Sequence, residues 1–535
     1  MKVLIAAAGI GSRLGGLTKF MHKTMMPVGK KPVISHIIDS YPANTKFVIA
    51  LGYRRDHVRQ YLDMAHENLS VQYVYVDHFD GPGSGLGLTL KHCAPFLDEP
   101  FIFHSSDTII SSVSELFNLH RDTIVLNKRH LDSKKYRSAS IDESTGRVIK
   151  LHDKSTEVLR DAYSYVGVCY FHNYEAFRDH LSVIDVEFGE SHYFASQKEL
   201  DADFFFAEKW YDIGDIRGLQ IAQEELSDFE NLNKLDEAIY FRENRVIKYF
   251  YNEEIVTKRL ERSKILGGLV PQIEAKSPNF YSYNFIDGEL LSEIEDVSRV
   301  FPIFLDWCKR NLFKEIPLSV VSREMFERNC FDFYYKKTGD RIDQFYLENL
   351  FFDHVKTVNG KTVTPLVDSI QNIDWSYMRE GVPTLFHGDF HFENIIKTKQ
   401  GFKLIDWRQS FDTEVKYGDL YYDLAKLYHG LVINHGIIRG RKFTVNGIES
   451  GDVTIAFDRL PELEKCETLF QNWITDQGHD LNKVQTLTAL IFVNIAPLHH
   501  TPYNYLLYFL GRMMLSHLHK GTLSEAVVPY FTEQA

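Results

Sequence analysis

One stretch of the chain combines residues that could carry out phosphoryl transfer. Asp389 is followed five residues later by Asn394, and Asp406 comes twelve residues after that, at the end of a short apolar run. Transfer of a phosphoryl group from ATP to a hydroxyl needs a carboxylate beside the attacking oxygen and ligands for the metal ions that bridge the phosphates. A loop aspartate, an asparagine and a strand-end aspartate supply that set. The spacing therefore predicts an ATP-dependent phosphotransferase.

This loop resembles the HGDxHxxN loop of the aminoglycoside and choline kinase family, a relative of protein kinases. Here it is His387-Gly388-Asp389-Phe390-His391-Phe392-Glu393-Asn394, and Ile405-Asp406-Trp407 matches a second segment of that family. The resemblance implies that Asp389 is the catalytic base, and that Asn394 and Asp406 bind Mg²⁺. It also implies that the downstream Asp419 buttresses the loop. We expect His387 and His391 to order the loop rather than act as ligands or bases, because a solitary histidine is weak evidence of chemistry.

The segment before this loop supplies a second part of the same resemblance. Arg245-Val246-Ile247-Lys248 is similar to the strand whose lysine pairs with the ATP phosphates in that family. Its carboxylate partner on the next helix is expected to be Glu254, with Glu261 as the alternative. No glycine-rich loop precedes Lys248, since residues 235–244 contain no glycine. The stretch from Tyr281 to Gly288 is expected to be the hinge that meets adenine.

A glycine turn follows the first apolar run of the chain. Gly9 and Gly11 lie before Arg13, and Lys23 follows within Lys23-Thr24-Met25-Met26-Pro27-Val28. Glycines let the backbone approach a phosphate chain closely, and basic groups offset the charge that develops on a leaving pyrophosphate. A plain strand-to-helix turn or a dinucleotide site would explain the glycines alone about as well. The sequence does not continue as GxGxxG, however, so a dinucleotide fingerprint is incomplete.

The run from Gly9 to Pro32 resembles the signature of sugar-phosphate nucleotidyltransferases, and nearly all of the first 220 residues carry further elements of that family in order. The resemblance implies that Arg13 and Lys23 are catalytic and that Asp107 and Asp212 bind Mg²⁺. It assigns the remaining residues to binding, with Gly9, Gly11, Gly83 and Ser84 at the nucleotide and Lys154 and Gly167 at the other substrate. Two departures affect the phosphate contacts: His22 stands where proline usually precedes the lysine, and Asp153 replaces a glutamate.

The elements that must position these residues differ between the two halves of the chain. Up to about residue 226, short runs rich in Val, Ile and Phe alternate with helical patterns, which predicts an α/β, Rossmann-like domain with a parallel-type sheet. From residue 227 a hairpin, a helix and a strand precede a long helical region. This outline predicts an α+β, bilobal, protein-kinase-like domain. The predicted domains are 1–226 and 227–535, with a small lobe over about 227–288 and a large helical lobe over about 289–535.

Composition excludes several classes of protein. The net charge of −13 argues against a nucleic-acid-binding surface, which needs a dense positive field. Five cysteines without a CxxC pair indicate reduced thiols, as in a cytoplasmic protein. The longest apolar stretch, Thr486–Leu498, contains Asn494 and Pro497 and is predicted to be a core helix, so no membrane span is expected. We therefore expect a cytoplasmic enzyme whose partners are small molecules, of unassigned oligomeric state.

Together the two resemblances suggest consecutive reactions. A kinase makes a phosphate monoester from X–OH and ATP, and a nucleotidyltransferase couples X–phosphate to a second triphosphate, giving NDP–X and pyrophosphate. A sugar or polyol is favoured as X, and CTP or UTP as the second triphosphate, with Mg²⁺ in both sites. Choline or another amino alcohol remains the alternative, and a non-catalytic metabolite-sensing regulator is a competing class. Surface polysaccharide biosynthesis is the expected destination of NDP–X by family analogy.

Overall fold

The computed structural model describes residues 1–111, 113–128, 134–154, 162–226, 235–349, 352–434, 436–437, 440–523 and 528. The chain divides into two compact units. The first consists of Met1–Glu253 with Glu274–Tyr283, and the second of Glu254–Ile273 with Asn284–Ala535. The predicted boundary at 226/227 adjoins residues 227–234, which lie outside the described residues, so the predicted domain boundaries stay a prediction.

The first unit alternates strands with helices over most of its length. Its strands are β1 Lys2–Ala7, β2 Pro27–Val28, β3 Lys31–Pro32, β4 Lys46–Leu51, β5 Ser70–Tyr75, β6 Phe101–Ser105, β7 Thr108–Ile110, β8 Thr123–Asn127, β9 Ser138–Asp142, β10 Arg147–His152, β11 Ala162–Phe171, β12 Asp203–Phe206, β13 Trp210–Asp212, β14 Glu237–Arg242, β15 Arg245–Phe250, β16 Ile273–Lys276 and β17 Phe280–Asn284. Its helices are α1 Val33–Asp39, α2 Arg55–Ala65, α3 Leu86–Cys93, α4 Tyr174–Val183, α5 Ser191–Ala195 and α6 Ile216–Leu226.

Nine of these strands form one sheet in the order β5-β4-β1-β6-β11-β8-β12-β10-β9. The four strands β5, β4, β1 and β6 are parallel, and in β1 the side chains of Val3, Leu4 and Ile5 are fully buried. A strand that is buried on both faces reads as a continuous apolar run, which is why β1 was recognisable in the sequence. The expected parallel sheet is correct for these four strands and for β8 with β12, which are also parallel. The strand β11 is antiparallel to both β6 and β8, so the whole sheet is mixed.

A second sheet of the first unit has the order β14-β15-β17-β16. Its hairpin was predicted from sequence, but as part of a kinase small lobe. In the structure, the Tyr240 hydroxyl of β14 donates to the Met25 carbonyl at 2.6 Å, and the Tyr249 hydroxyl of β15 donates to the Phe20 carbonyl at 2.5 Å. This sheet therefore holds the backbone of the segment that carries Lys23.

The second unit begins with the helix α7 Glu253–Leu266 and is largely helical afterwards. Its other helices are α8 Val297–Asn311, α9 Val320–Phe331, α10 Lys337–Glu348, α11 Leu366–Gln371, α12 Trp375–Met378, α13 Leu420–Val432, α14 Pro461–Asp476, α15 Leu481–Ile495 and α16 Tyr503–His519. Its short strands are β18 Glu289–Leu290, β19 Thr357–Val358, β20 Lys361–Thr362, β21 Pro383–Thr384, β22 Ile395–Thr398, β23 Gly401–Leu404, β24 Gly418–Asp419, β25 Phe443–Asn446 and β26 Asp452–Phe457.

The centre of this helical region is α15, which packs against α13 and α16. The Thr488 hydroxyl donates to the Ala425 carbonyl of α13, and a Cβ added to Gly511 of α16 would lie 2.7 Å from the Ala489 carbonyl. Within the described part of the chain, the segment Leu481–Leu498 is long and apolar enough to cross a membrane, with a mean hydropathy of 1.2, but 56% of it is buried. Such burial is what the predicted core helix requires.

Candidate functional sites

Two short strands of the first unit bring Asp107 and Asp212 together. Asp107 directly precedes β7, and Asp212 ends β13, which pairs antiparallel with β7 so that Thr108 lies opposite Asp212. The backbone amide of Ile213 also donates to the Asp107 carbonyl at 2.8 Å. Residues more than a hundred positions apart in sequence are thereby neighbours, as the predicted pair of Mg²⁺ ligands requires.

Two basic side chains face Asp107. Lys23 Nζ lies 2.9 Å from Asp107 Oδ2, and Arg13 Nη2 lies 3.7 Å from the same oxygen. Burial raises the pKa of Asp107, but the Lys23 ammonium and the Ser105 hydroxyl outweigh that effect and hold this pKa well below its usual range. The carboxylate is therefore ionised at neutral pH. The structure places three of the predicted residues, Arg13, Lys23 and Asp107, in one cluster.

The backbone around Lys23 is shaped by Gly11 and His22. Gly11 has φ +76°, and a Cβ added there would lie 3.1 Å from Lys23 Cβ, so the turn closes directly over the lysine stem. His22 is fully buried, and its Nδ1 accepts a hydrogen bond from the Thr24 amide, which caps the short turn that contains Lys23. Burial lowers the pKa of His22 to about 3. A neutral imidazole thus caps the turn at the position where the family usually has proline.

Asp212 is held by groups that sequence reasoning missed. The Tyr136 hydroxyl donates to Asp212 Oδ2 at 2.6 Å, and the Gly214 amide donates to Asp212 Oδ1 at 2.8 Å. A Cβ added to Gly214 would lie 2.7 Å from Arg13 Nη2 and 2.9 Å from Asp212 Oδ1. Glycine at this position therefore leaves room for both the Arg13 guanidinium and the Asp212 carboxylate. Gly214 could have been found from the sequence, because it follows Asp212 in the run Trp210-Tyr211-Asp212-Ile213-Gly214. Nothing in the sequence pointed to Tyr136.

Of the predicted binding residues in this unit, Gly167 lies next to the cluster. It has φ +81°, and a Cβ there would lie 3.0 Å from the Cβ of Ser105, whose hydroxyl donates to Asp107. Gly9 has no atom within 4 Å of an added Cβ, so space is open beside it. The other predicted binding residues are Gly83, Ser84 and Lys154. Among the described residues, no hydrogen bond or ion pair joins them to Asp107 or Lys23.

In the second unit, the loop that carries Asp389 is held by a carboxylate from α13. Asp423 accepts hydrogen bonds from the backbone amides of His387 at 2.6 Å and Gly388 at 2.7 Å. The family resemblance implied this buttressing role for Asp419, and that implication is wrong. Asp419 instead accepts from the Val382 amide and caps α13, because it is the last residue before the helix begins.

Backbone pairing brings the three predicted phosphotransferase residues together. The Asn394 side-chain amide donates to the Asp389 carbonyl at 2.9 Å, and the backbone amide of Ile405 donates to the Asn394 carbonyl at 2.9 Å. Ile405 directly precedes Asp406, which takes a left-handed conformation with φ +60°. The strands β22 and β23 run antiparallel between them, starting from Ile395 and ending at Leu404. Asp389, Asn394 and Asp406 thus converge as the loop and its hairpin close.

Two cationic groups contact the Asp389 carboxylate, whose side chain is 44% exposed. Lys426 Nζ lies 2.8 Å from Oδ1, and His391 Nε2 lies 3.5 Å from Oδ2. Desolvation raises the pKa of Asp389, but Lys426 and His391 outweigh it and hold this pKa well below its usual range. Burial alone lowers the pKa of His391, whereas Asp389 and Glu393 raise it to about 9. Lys426 was missed because it lies on α13, outside every recognised motif.

His387 orders the loop in a different way from His391. Its Nε2 contacts the Ile405 carbonyl at 2.8 Å, and burial lowers its pKa to about 3.

The predicted pair of Lys248 and Glu254 divides between the two units. Lys248 is a buried residue of β15, opposite Ile239, whereas Glu254 begins α7 with a side chain that is 67% exposed and 2.8 Å from Lys258. The nucleotide-binding role of this pair stays a prediction.

The donor sets of both clusters fit Mg²⁺, which prefers hard oxygen ligands and retains part of its water. Asp107 and Asp212 supply carboxylates in the first unit, and Asn394 and Asp406 supply an amide oxygen and a carboxylate in the second. The described residues include no group of three or more His, Cys, Asp or Glu side chains that could hold a metal by themselves. Oxygens from substrate phosphates or water would have to complete either coordination shell.

Comparison with known proteins identifies a domain family in each half. Residues 2–228 match the family model for nucleotidyl transferases, and residues 347–444 match the model of the phosphotransferase enzyme family. The predicted fusion is therefore confirmed: the chain carries an N-terminal nucleotidyl transferase domain and a C-terminal kinase-like phosphotransferase domain, both of which are enzyme domains.

Individual relatives match the N-terminal half. The bifunctional protein GlmU of Methanococcus maripaludis is 27% identical over 130 residues, which is 24% of this chain and 30% of that protein. Glucose-1-phosphate cytidylyltransferase of Salmonella typhimurium is 28% identical over 131 residues, which is 20% of this chain and 51% of that protein. A crystal structure of UDP-glucose pyrophosphorylase with UDP-glucose is 19% identical, with 42% of this chain and 97% of that chain covered and a TM-score of 0.36. The chain thus spans about half or less of these two curated relatives.

Replacing Gly214 with alanine should displace Arg13 and slow nucleotidyl transfer. The added Cβ collides with the Arg13 guanidinium at 2.7 Å and with Asp212 Oδ1 at 2.9 Å, both side-chain atoms rather than backbone, so the fold should survive. We expect kcat for pyrophosphate release to fall about 10-fold or more, with the thermal midpoint nearly unchanged, because oriented cations stabilise developing charge. Gly268→Ala is the control, since Gly268 lies in the second unit and an added Cβ meets nothing within 4 Å there. Equal rates for G214A and wild type would contradict this role of Arg13.

The raised pKa of His391 predicts a pH-dependent contribution to stability. The folded-state value of about 9 exceeds the ordinary value of 6.5, so the contribution is fully present below about pH 6.5 and is lost as the pH rises towards 9. The deficit in thermal midpoint of His391→Gln relative to wild type should therefore shrink between pH 6.5 and pH 9. The exposed His500→Gln is the control and should show no such trend. A deficit that stays constant with pH would refute the charge assigned to His391.

Proposed function

We propose that this protein phosphorylates a small hydroxyl metabolite with ATP and then couples the resulting phosphate to a second nucleoside triphosphate, giving NDP–X and pyrophosphate. One observation carries the proposal: each unit assembles the charged residues of its own reaction around an ionised aspartate. A phosphate monoester is the product of the second unit's reaction and a substrate of the first unit's reaction. The two activities in one chain therefore suit consecutive steps.

In the first unit, a phosphate oxygen of X–phosphate attacks the α-phosphorus of the triphosphate, and the bond to the β-phosphate oxygen breaks. Both reactants are anions, so the site must offset negative charge rather than supply an acid and base. Lys23 and Arg13 provide two positive charges, and the open glycine turn at Gly9 and Gly11 leaves room for the phosphate chain. Asp107 and Asp212 would hold Mg²⁺, which when bound neutralises charge on the phosphates.

In the second unit, Asp389 would accept the proton of the acceptor hydroxyl as its oxygen attacks the γ-phosphorus of ATP. The carboxylate is ionised and partly exposed, as a base that meets substrate must be. Lys426 and His391 fix its position, while Asn394 and Asp406 would hold Mg²⁺ beside the phosphates. Lys248 and Glu254 are proposed to serve the ATP phosphates in a bilobal arrangement, as the family resemblance implies.

The wider setting is part of the proposal. A sugar or polyol is favoured as X because the relatives of the first unit are named for sugar phosphates. CTP or UTP is the proposed second triphosphate, and a cytoplasmic location with NDP–X entering surface polysaccharide biosynthesis fits these substrates. The net charge of −13 supports small-molecule partners rather than nucleic acid. A regulator that only senses metabolites would not need ionised aspartates with paired cations in both units.

Single substitutions should separate the two reactions. Asp389→Asn should reduce X–OH phosphorylation by 10²-fold or more, the range of a general base, and spare nucleotidyl transfer from supplied X–phosphate. Asp107→Ala should do the reverse. Mass spectrometry of the products from ATP, CTP, UTP and a pool of acceptors would follow both steps. The exposed Asp368→Asn and Asp63→Asn serve as controls. The two-site proposal fails if either active-site variant, still folded, silences both reactions.

A further inference from the structure

Four basic side chains form a group that extends from the phosphotransferase aspartate to α10. Lys337 and Arg341 lie one turn apart on α10, Arg408 directly follows Trp407, and Lys426 lies on α13. We refer to Lys337, Arg341, Arg408 and Lys426 as the cation cluster. The backbone amide of Arg408 donates to the His387 carbonyl at 2.8 Å, which ties it to the loop that carries Asp389. Three separate segments of the second unit thus contribute positive charge to one place.

The charge of the cation cluster is not matched by carboxylates. Lys426 pairs with Asp389 at 2.8 Å, but among the described residues no carboxylate lies within ion-pair distance of Lys337, Arg341 or Arg408. Lys337 and Arg408 lie instead over the ring of Phe333, at 4.3 Å and 5.0 Å from its centre. The side chains of Lys337, Arg341 and Arg408 are partly buried, and a partly desolvated group of like charges without counterions is costly, so such an arrangement needs a reason.

The electrostatics of Lys337 point to the missing partner. Burial lowers its pKa well below the usual range, the nearby positive charges of Arg408, Lys426 and Arg341 lower this pKa further, and Asp389 opposes them. An anion that entered the cluster would remove this repulsion and favour the charged ammonium. The cation cluster would therefore gain from a negatively charged ligand.

We propose that the acceptor of the phosphotransferase carries a carboxylate or phosphate in addition to the hydroxyl that is phosphorylated. This inference rests on the proposed kinase function and specifies its substrate class as an acidic polyol or sugar derivative. The hydroxyl would meet Asp389, and the anionic group would bind Lys337 and Arg341. Arg408 and Lys426, which are nearest the loop, would compensate the combined negative charge of acceptor and γ-phosphate.

The same cluster argues against choline or another amino alcohol as the acceptor. A quaternary ammonium is bound over aromatic faces that carry no competing cation. Here the ring of Phe333 already lies beneath Lys337 and Arg408, and the ring of Tyr422 lies 5.8 Å from the Lys337 ammonium. A cationic acceptor beside Asp389 would be repelled by Lys426 and by the guanidinium of Arg408. Of the two substrate classes that the sequence left open, the structure favours the sugar or polyol, in an acidic form.

The test compares acceptors that differ mainly in charge. ADP release would be measured with glycerol, glycerate and glycerol 3-phosphate, with glucitol, gluconate and glucitol 6-phosphate, and with choline and ethanolamine. We expect kcat/KM to be at least 10-fold higher for an acidic member than for its neutral counterpart, and no turnover of the amines. A neutral polyol or an amine as the best acceptor, with turnover abolished by Asp389→Asn, would overturn the inference and leave the proposed kinase function intact.

Two substitutions separate the acceptor from the triphosphate as the source of the anion. Lys337→Met and Arg341→Gln should each raise KM for the acidic acceptor about 10-fold and change KM for ATP by less than twofold. Lys336→Met is the matched control, because Lys336 is the exposed neighbour of Lys337 and pairs with Asp332 at 2.7 Å. A rise in KM for ATP alone would mean that the cluster serves the triphosphate, and would overturn the inference.

A binding measurement tests the proposed anion site even if no acceptor is turned over. Inorganic phosphate should raise the thermal midpoint of the protein in the presence of Mg²⁺ and a non-hydrolysable ATP analogue. The double variant Lys337→Met with Arg341→Gln should lose that shift, and Lys336→Met should keep it. Loss of the shift in the double variant supports the anion site even if no acceptor is phosphorylated. Absence of phosphorylation would count against the proposed function but not against the anion site. An equal shift in the double variant, or none in wild type, would overturn the inference.

Discussion

Each candidate site contains an ion pair between a lysine and an aspartate. Lys23 lies 2.9 Å from Asp107, and Lys426 lies 2.8 Å from Asp389. Desolvation would otherwise favour the protonated carboxyl, which could neither bind a cation nor accept a proton. The rest of each site serves to hold this pair. Gly11 and His22 shape the turn beneath Lys23, and the Asp423 carboxylate on α13 fixes the loop that carries Asp389.

Sequence was informative where a function depends on a short continuous segment. The Asp389 loop and the glycine turn before Arg13 could be recognised because turn residues and charged groups recur there at fixed spacings. Long-range partners carry no such signal. Tyr136, Lys426 and Lys337 reach their sites only through the tertiary fold. The buttressing role was expected of Asp419 rather than Asp423 for the same reason. Both aspartates lie close together at the start of α13, and only packing decides which one binds the loop amides.

The sheet β14-β15-β17-β16 illustrates a different limit of sequence reasoning. The hairpin itself was predicted, because apolar alternation and the turn between its strands are local. Its association was not predictable, since Tyr240 and Tyr249 look like ordinary core aromatics. Their hydroxyls nevertheless satisfy the backbone carbonyls of Met25 and Phe20, on either side of Lys23. Buried carbonyls of an irregular segment need such partners, and here a distant hairpin supplies them.

The chain path through these strands has a consequence for biosynthesis. The first unit takes residues up to Glu253 and then Glu274–Tyr283, while the intervening helix α7 belongs to the second unit. A growing chain cannot complete the first unit until residue 283 has left the ribosome, by which time α7 has already emerged. Domains that are simple neighbours in sequence fold one after the other during synthesis. In this chain α7 has emerged before the first unit is complete but can join its own unit only later, and a single proteolytic cut after Tyr283 would leave the first unit whole while removing Glu254–Ile273 from the second.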